Sequence, residues 1–60
     1  MRVAYRLAGP KGRRYTFAPL PSGDVLVNRY EGLRRTQTFI RRRPQARSLW
    51  AYLTKIGYQH

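Results

Sequence analysis

Sixty residues carry thirteen lysines and arginines against two carboxylates, a formal charge of +11, with no cysteine. Such a length excludes more than one domain, and the missing cysteines exclude a disulfide framework or a thiolate metal site. No apolar run approaches the ~18 residues of a membrane span, and the N-terminus lacks the apolar core of a leader peptide, so a soluble cytoplasmic protein is expected.

A chain this short buries only about 60% of the surface its unfolded form exposes, and neither a disulfide nor a metal staple is available. Self-association as a homodimer is therefore an expectation. An apolar share of 42% and five tyrosines set the chain apart from a disordered basic tail, which would be poor in aromatics.

The stretch "RVAYRLA", residues 2–8, alternates Val3, Tyr5 and Leu7 with Arg2, Ala4 and Arg6 and predicts a half-buried strand. "GPKGR" from Gly9 to Arg13 signals a turn. A second strand over 14–18 places Tyr15 and Phe17 opposite Arg14, Thr16 and Ala18, and Pro19 and Pro21 end it. "PSGD" makes the next turn, and "VLVNRY", residues 25–30, is β-branched and aromatic enough for a third strand. Glu31-Gly32 reads as a hairpin connection to a fourth strand over 33–40, "LRRTQTFI". Either register of the last two strands turns an arginine or asparagine inward, so alternation leaves their buried face open.

Ala46, Leu49, Trp50, Leu53 and Ile56 then follow the spacing of one helical face, predicting a helix over 44–56. Pro44 suits its first position, Lys55 its last turn, and Gly57 the left-handed residue beyond its end. The predicted architecture is α+β, a four-stranded antiparallel meander followed by one C-terminal amphipathic helix (ββββα). One helix covers one face of such a sheet, leaving the other to solvent, a second copy or a ligand.

Catalytic chemistry is poorly supplied, and no enzymatic activity is expected. Asp24 and Glu31, the only carboxylates, fall in turns at opposite ends of the third strand, which disfavours paired-carboxylate chemistry. Ser22 and Ser48 lack a histidine placed to activate them, because His60 is the last residue. No cofactor is implied, and no acidic cluster offers itself to a metal. "GPKG", residues 9–12, has the form of a backbone-clamping GxxG loop, but it joins two strands where that motif joins two helices. An ordinary hairpin with Lys11 at its tip is the favoured reading.

The cations are more informative. Eleven of the thirteen are arginine, whose planar fork pairs with phosphate bidentately and stacks on bases. Arg41, Arg42 and Arg43 crowd the start of the predicted helix, with Arg47 one turn on. Backbone amides already make that end positive, at a cost of about 0.3–1 kcal/mol for each added cation. Bound phosphate would reverse the sign of that conflict, since unpaired amides and arginines together form an anion site. Arg34 and Arg35 on the fourth strand would add phosphate contacts. Arg2, Arg6, Arg14 and Arg29 would do so from the outer sheet face. Tyr5, Tyr15 and Tyr30 each adjoin an arginine and are candidates to stack bases, although for Tyr5 and Tyr15 a core position is the favoured reading. Trp50, in the middle of the helix stripe, is expected to anchor the core.

These features predict a nucleic-acid-binding protein, DNA or RNA, with the tyrosines favouring single strands. Strand-then-helix order with a basic sheet is similar, in architecture alone, to small dimeric single-stranded-DNA-binding coactivators and their phage relatives. It is similar in the same sense to the three-stranded DNA-binding domains of integrases and plant transcription factors. The alternative is a small interaction module or phage-type inhibitor that docks on an acidic partner protein, such as the nucleic-acid groove of a polymerase or nuclease. Membrane attachment is not expected, because Arg47 and Lys55 are the only cations on the polar face of the helix.

Overall fold

The computed structural model describes residues 5–60, in which alternating side chains between Tyr5 and Arg41 build a four-stranded antiparallel sheet. Residues 2–4 of the expected first strand, Arg2 included, lie outside the described residues. Strands β1 (Tyr5–Ala8), β2 (Arg13–Pro19), β3 (Val25–Glu31) and β4 (Arg34–Arg41) pair in chain order, and helix α1 (Arg43–Lys55) follows. This is the expected ββββα order, with element ends shifted by a residue or so.

The connections follow their turn chemistry. Pro10–Gly12 forms a single 3-10 turn in which Lys11 (φ 60°) and Gly12 (φ 73°) adopt left-handed backbone. It is thus a strand connection, and its Gly12 carbonyl accepts a hydrogen bond from Gly32 N–H at 2.9 Å. That contact ties the β1–β2 turn to the β3–β4 turn at one end of the sheet. Leu20 and Asp24 close the β2–β3 turn at the other end, Leu20 N–H donating to the Asp24 carbonyl at 2.8 Å.

Pairing resolves which face is buried. Tyr5, Phe17, Val27 and Phe39 stand directly opposite one another across the four strands and so share a face, as do Leu7 and Tyr15. Leu7, Phe17 and Val27 are buried on that face together with Ala46 and Leu53 of α1. The register between β3 and β4 slips by one residue: Arg29 opposes Gln37, but Tyr30 opposes Arg35, leaving Thr36 as a bulge. Thr36 Oγ1 donates to the Arg29 carbonyl at 3.3 Å. Beyond the bulge the phase of β4 is inverted, so Arg35 lies on the outer face and Arg34 on the helix side.

The helix begins with Arg42 as N-cap, its N–H donating to Gln45 Oε1 at 3.4 Å. Pro44 is the second helical residue rather than the first, where a missing N–H is still harmless. At the other end Gly57 (φ 114°) donates to the Thr54 carbonyl at 3.3 Å and Tyr58 N–H to the Leu53 carbonyl at 2.9 Å. Those two bonds define a left-handed C-terminal cap whose apolar partners are Leu53 and Tyr58. Gly57→Ala should therefore cost about 1 kcal/mol in urea unfolding, the strain of a Cβ at positive φ; an unchanged midpoint would remove the cap from the account.

One core assignment changes. Ile56 is 52% exposed, and Tyr58, at 8%, takes the buried place beyond the helix. The cap reverses the chain after Ile56, which moves the apolar contact to the residue after the glycine. The reversal also returns the C-terminus to β1, where Ala8 and Gln59 exchange backbone hydrogen bonds of 2.8 and 2.9 Å. Aromatic edges complete the core: Trp50 meets Phe17 at 5.2 Å and Tyr58 meets Tyr15 at 5.5 Å between centroids. Such pairs contribute about 0.5–1.5 kcal/mol beyond their buried area.

Candidate nucleic-acid interface

With α1 on one side, no other described element covers the opposite face of the sheet, and strand pairing arranges it in three rows. The row nearest the β2–β3 turn is apolar: Ala18, Leu26 and Ile40. The middle row runs Arg6, Thr16, Asn28 and Thr38, and Thr38 Oγ1 donates to Asn28 Oδ1 at 2.8 Å. The third row runs Ala8, Arg14, Tyr30 and Arg35. The Arg14 guanidinium lies over the Tyr30 ring, 4.8 Å from its centroid, and also donates to the Gly32 carbonyl at 3.4 Å. Arg6 and Arg14 thus occupy the outer face as expected.

Arg29 does not. It opposes Tyr15 on the helix side, is 27% exposed, and donates to Glu31 Oε2 at 3.4 Å. Residue parity in β3 decides this: burying Val25 and Val27 carries Arg29 to the same face. Glu31 also faces Arg13 at 3.9 Å, so one of the two carboxylates of the chain already serves two arginines. Both ion pairs are partly exposed and contribute little to stability.

The tyrosines divide as well. Tyr15 packs between Phe17 and Tyr58, and Tyr5 sets its edge against Trp50 at 6.4 Å. Both are on the helix side, so neither offers a stacking plane on the outer sheet. Only Tyr30 of the three is there, and Arg14 covers one face of its ring. Trp50 packs among Tyr5, Phe17 and His60, as a core anchor should.

At the helix start the arginines gather but take different settings. Arg41 folds over Phe39, 4.4 Å from the ring centroid, and donates to the Ile40 carbonyl at 3.0 Å. Arg42 is the N-cap and supplies no side-chain acceptor, since a guanidinium has none. Arg43 and Arg47, one turn apart, flank an apolar groove of about 480 Å³ whose walls include Tyr5, Phe17 and Trp50. No carboxylate pairs with Arg41, Arg42, Arg43 or Arg47 among the described residues. Arg34 and Arg35 begin β4, whereas Arg41 ends it and Arg42, Arg43 and Arg47 follow, so the two groups mark opposite ends of the sheet, about 20 Å apart at strand rise.

Among the described residues the outer edge of β4 is unpaired.

Among the described residues no group of histidine, cysteine or carboxylate side chains is disposed to hold a metal, and no helix is long and apolar enough to cross a membrane. Asp24 precedes β3, as expected of a turn residue, whereas Glu31 is the last residue of the strand itself, and the two stand at its opposite ends. No protein-family model, curated protein or solved structure matches the chain.

The sequence reading missed the role of the C-terminal residues in closing the sheet and the bulge that turns Arg35 outward. Gly57 was the signal for the first. Nothing in "RRTQTFI" marks Thr36 as the extra residue.

Proposed function

We propose that this protein binds nucleic acid without catalysing a reaction, in the cytoplasm. The observation that carries the reading is the arginine surplus on surfaces the fold leaves open. Among the described residues, Arg6, Arg14 and Arg35 stand on a sheet face that no element covers, and Arg41, Arg42, Arg43 and Arg47 surround a helix start without a carboxylate partner. Holding that charge together opposes folding until a polyanion neutralises it. Phosphates spaced along a nucleic acid answer the requirement, and arginine forks suit them.

Titration of labelled oligonucleotides at several salt concentrations tests this. If about five phosphates are neutralised, log K should fall against log salt with a slope of about −3.5 on single strands or −4.5 on duplex. A slope near zero, or no binding in dilute buffer, would end the proposal.

A docking module for an acidic protein is the second reading. It is favoured by the exposure of Leu33, Tyr52 and Ile56, apolar side chains that a protein partner could cover. It predicts a stoichiometric complex with one acidic protein and little affinity for bare oligonucleotides.

A further inference from the structure

We infer that the ligand is duplex DNA, entered through its major groove by the open sheet face, with Arg6, Thr16 and Asn28 reading base edges. This rests on the nucleic-acid reading above and narrows it. Non-specific single-strand binding depends on bare aromatic planes on which successive bases stack. The open face has none to spare: Tyr5 and Tyr15 belong to the helix side, and Tyr30 is overlain by Arg14 at 4.8 Å. What the face does present along its middle is a row of short hydrogen-bonding side chains ending in one guanidinium. Those are the groups that read donors and acceptors on base edges: an arginine fork for guanine O6 and N7, an asparagine for adenine N6 and N7, and threonine for either.

Dimensions agree. Strands about 4.8 Å apart place β1, β2 and β3 across about 10 Å, inside a major groove about 12 Å wide, and β4 at its phosphate wall. Arg35, on the open face of β4, stands at that wall, and Arg14 lies in the same row on β2. The apolar row of Ala18, Leu26 and Ile40 offers contact to thymine methyl groups, which project into the same groove. Duplex RNA is excluded by shape, because its major groove is too narrow and deep for a sheet.

The test compares one sequence as duplex DNA, as single-stranded DNA and as duplex RNA at equal salt, and then probes the duplex DNA complex with dimethyl sulfate. Duplex DNA should bind at least about tenfold more tightly than either alternative, with guanine N7 protected from methylation. Arg6→Gln, at an exposed position, should weaken binding about tenfold at the preferred sequence, the loss of one bidentate base contact. Its unfolding midpoint should not move. Equal or tighter binding of the single strand overturns the inference, and so does duplex binding that leaves N7 fully reactive. In both cases nucleic-acid binding itself stands. Failure to bind any of the three removes the broader reading as well.

Discussion

Replacing Arg41, Arg42 and Arg43 together with alanine weakens oligonucleotide binding by about tenfold or more and leaves stability nearly unchanged. If all three meet phosphates on duplex, the salt slope becomes shallower by about 2.7. The stability side follows from opposing terms. Arg41 loses its position over Phe39, worth about 0.5–1 kcal/mol at an exposed site. Removing Arg42 and Arg43 relieves about 0.3–1 kcal/mol each of repulsion with the helix dipole. The two nearly cancel.

Arg42→Asp separates the roles further. An aspartate at this N-cap accepts from the first-turn amides, which arginine cannot do, and its charge suits the dipole. Stability should rise by about 1–2 kcal/mol while affinity falls. Urea unfolding and fluorescence anisotropy on the same preparations decide the matter. A triple variant that unfolds readily yet binds unchanged would show these arginines to be structural.

Tyr58→Ala is the most destabilising single change expected, at about 3–5 kcal/mol by comparison with other buried aromatics. A domain of this length is stable by only about 3–9 kcal/mol in all, so much of the variant should be unfolded at room temperature. Tyr58 joins three things: the helix cap through Leu53, the aromatic edge of Tyr15, and the glycine at the end of β1. A Cβ on Gly9 would lie 2.5 Å from its ring, so Gly9→Ala should cost about 1–3 kcal/mol through overpacking. Because both changes act on one contact, the double variant should be less destabilised than their sum. Circular dichroism during urea unfolding measures all three. A Tyr58→Ala protein within 1 kcal/mol of the parent would show that the C-terminal tail is not part of the core.

How much of this was legible beforehand depends on the range of the interaction concerned. Helix α1 is marked by local chemistry: Ala46, Leu49, Trp50 and Leu53 repeat on one face, Pro44 stands at the start and Gly57 beyond the end. The strands are marked by alternation and separated by glycine and proline. Arg29 resisted because local alternation states that neighbours face apart, not which set is buried. That choice came from Val25 and Val27 together outweighing one arginine, and Glu31 two residues on compensates for part of the cost. Tyr15 followed Leu7 and Phe17 inward for the same reason, whereas Tyr5 shares their face but stays 57% exposed.

Composition and local pattern alone therefore determined the element order, the single helix and its ends, and a cationic excess that the two carboxylates of the chain cannot balance. Tertiary structure decided the rest. The slip at Thr36 set the side on which Arg34 and Arg35 appear, and return of the chain at Gly57 placed Tyr58 over Gly9. The physical reason is that turns, helical periodicity and charge are properties of neighbouring residues. Register and sidedness emerge only when segments distant in sequence compete for one small core.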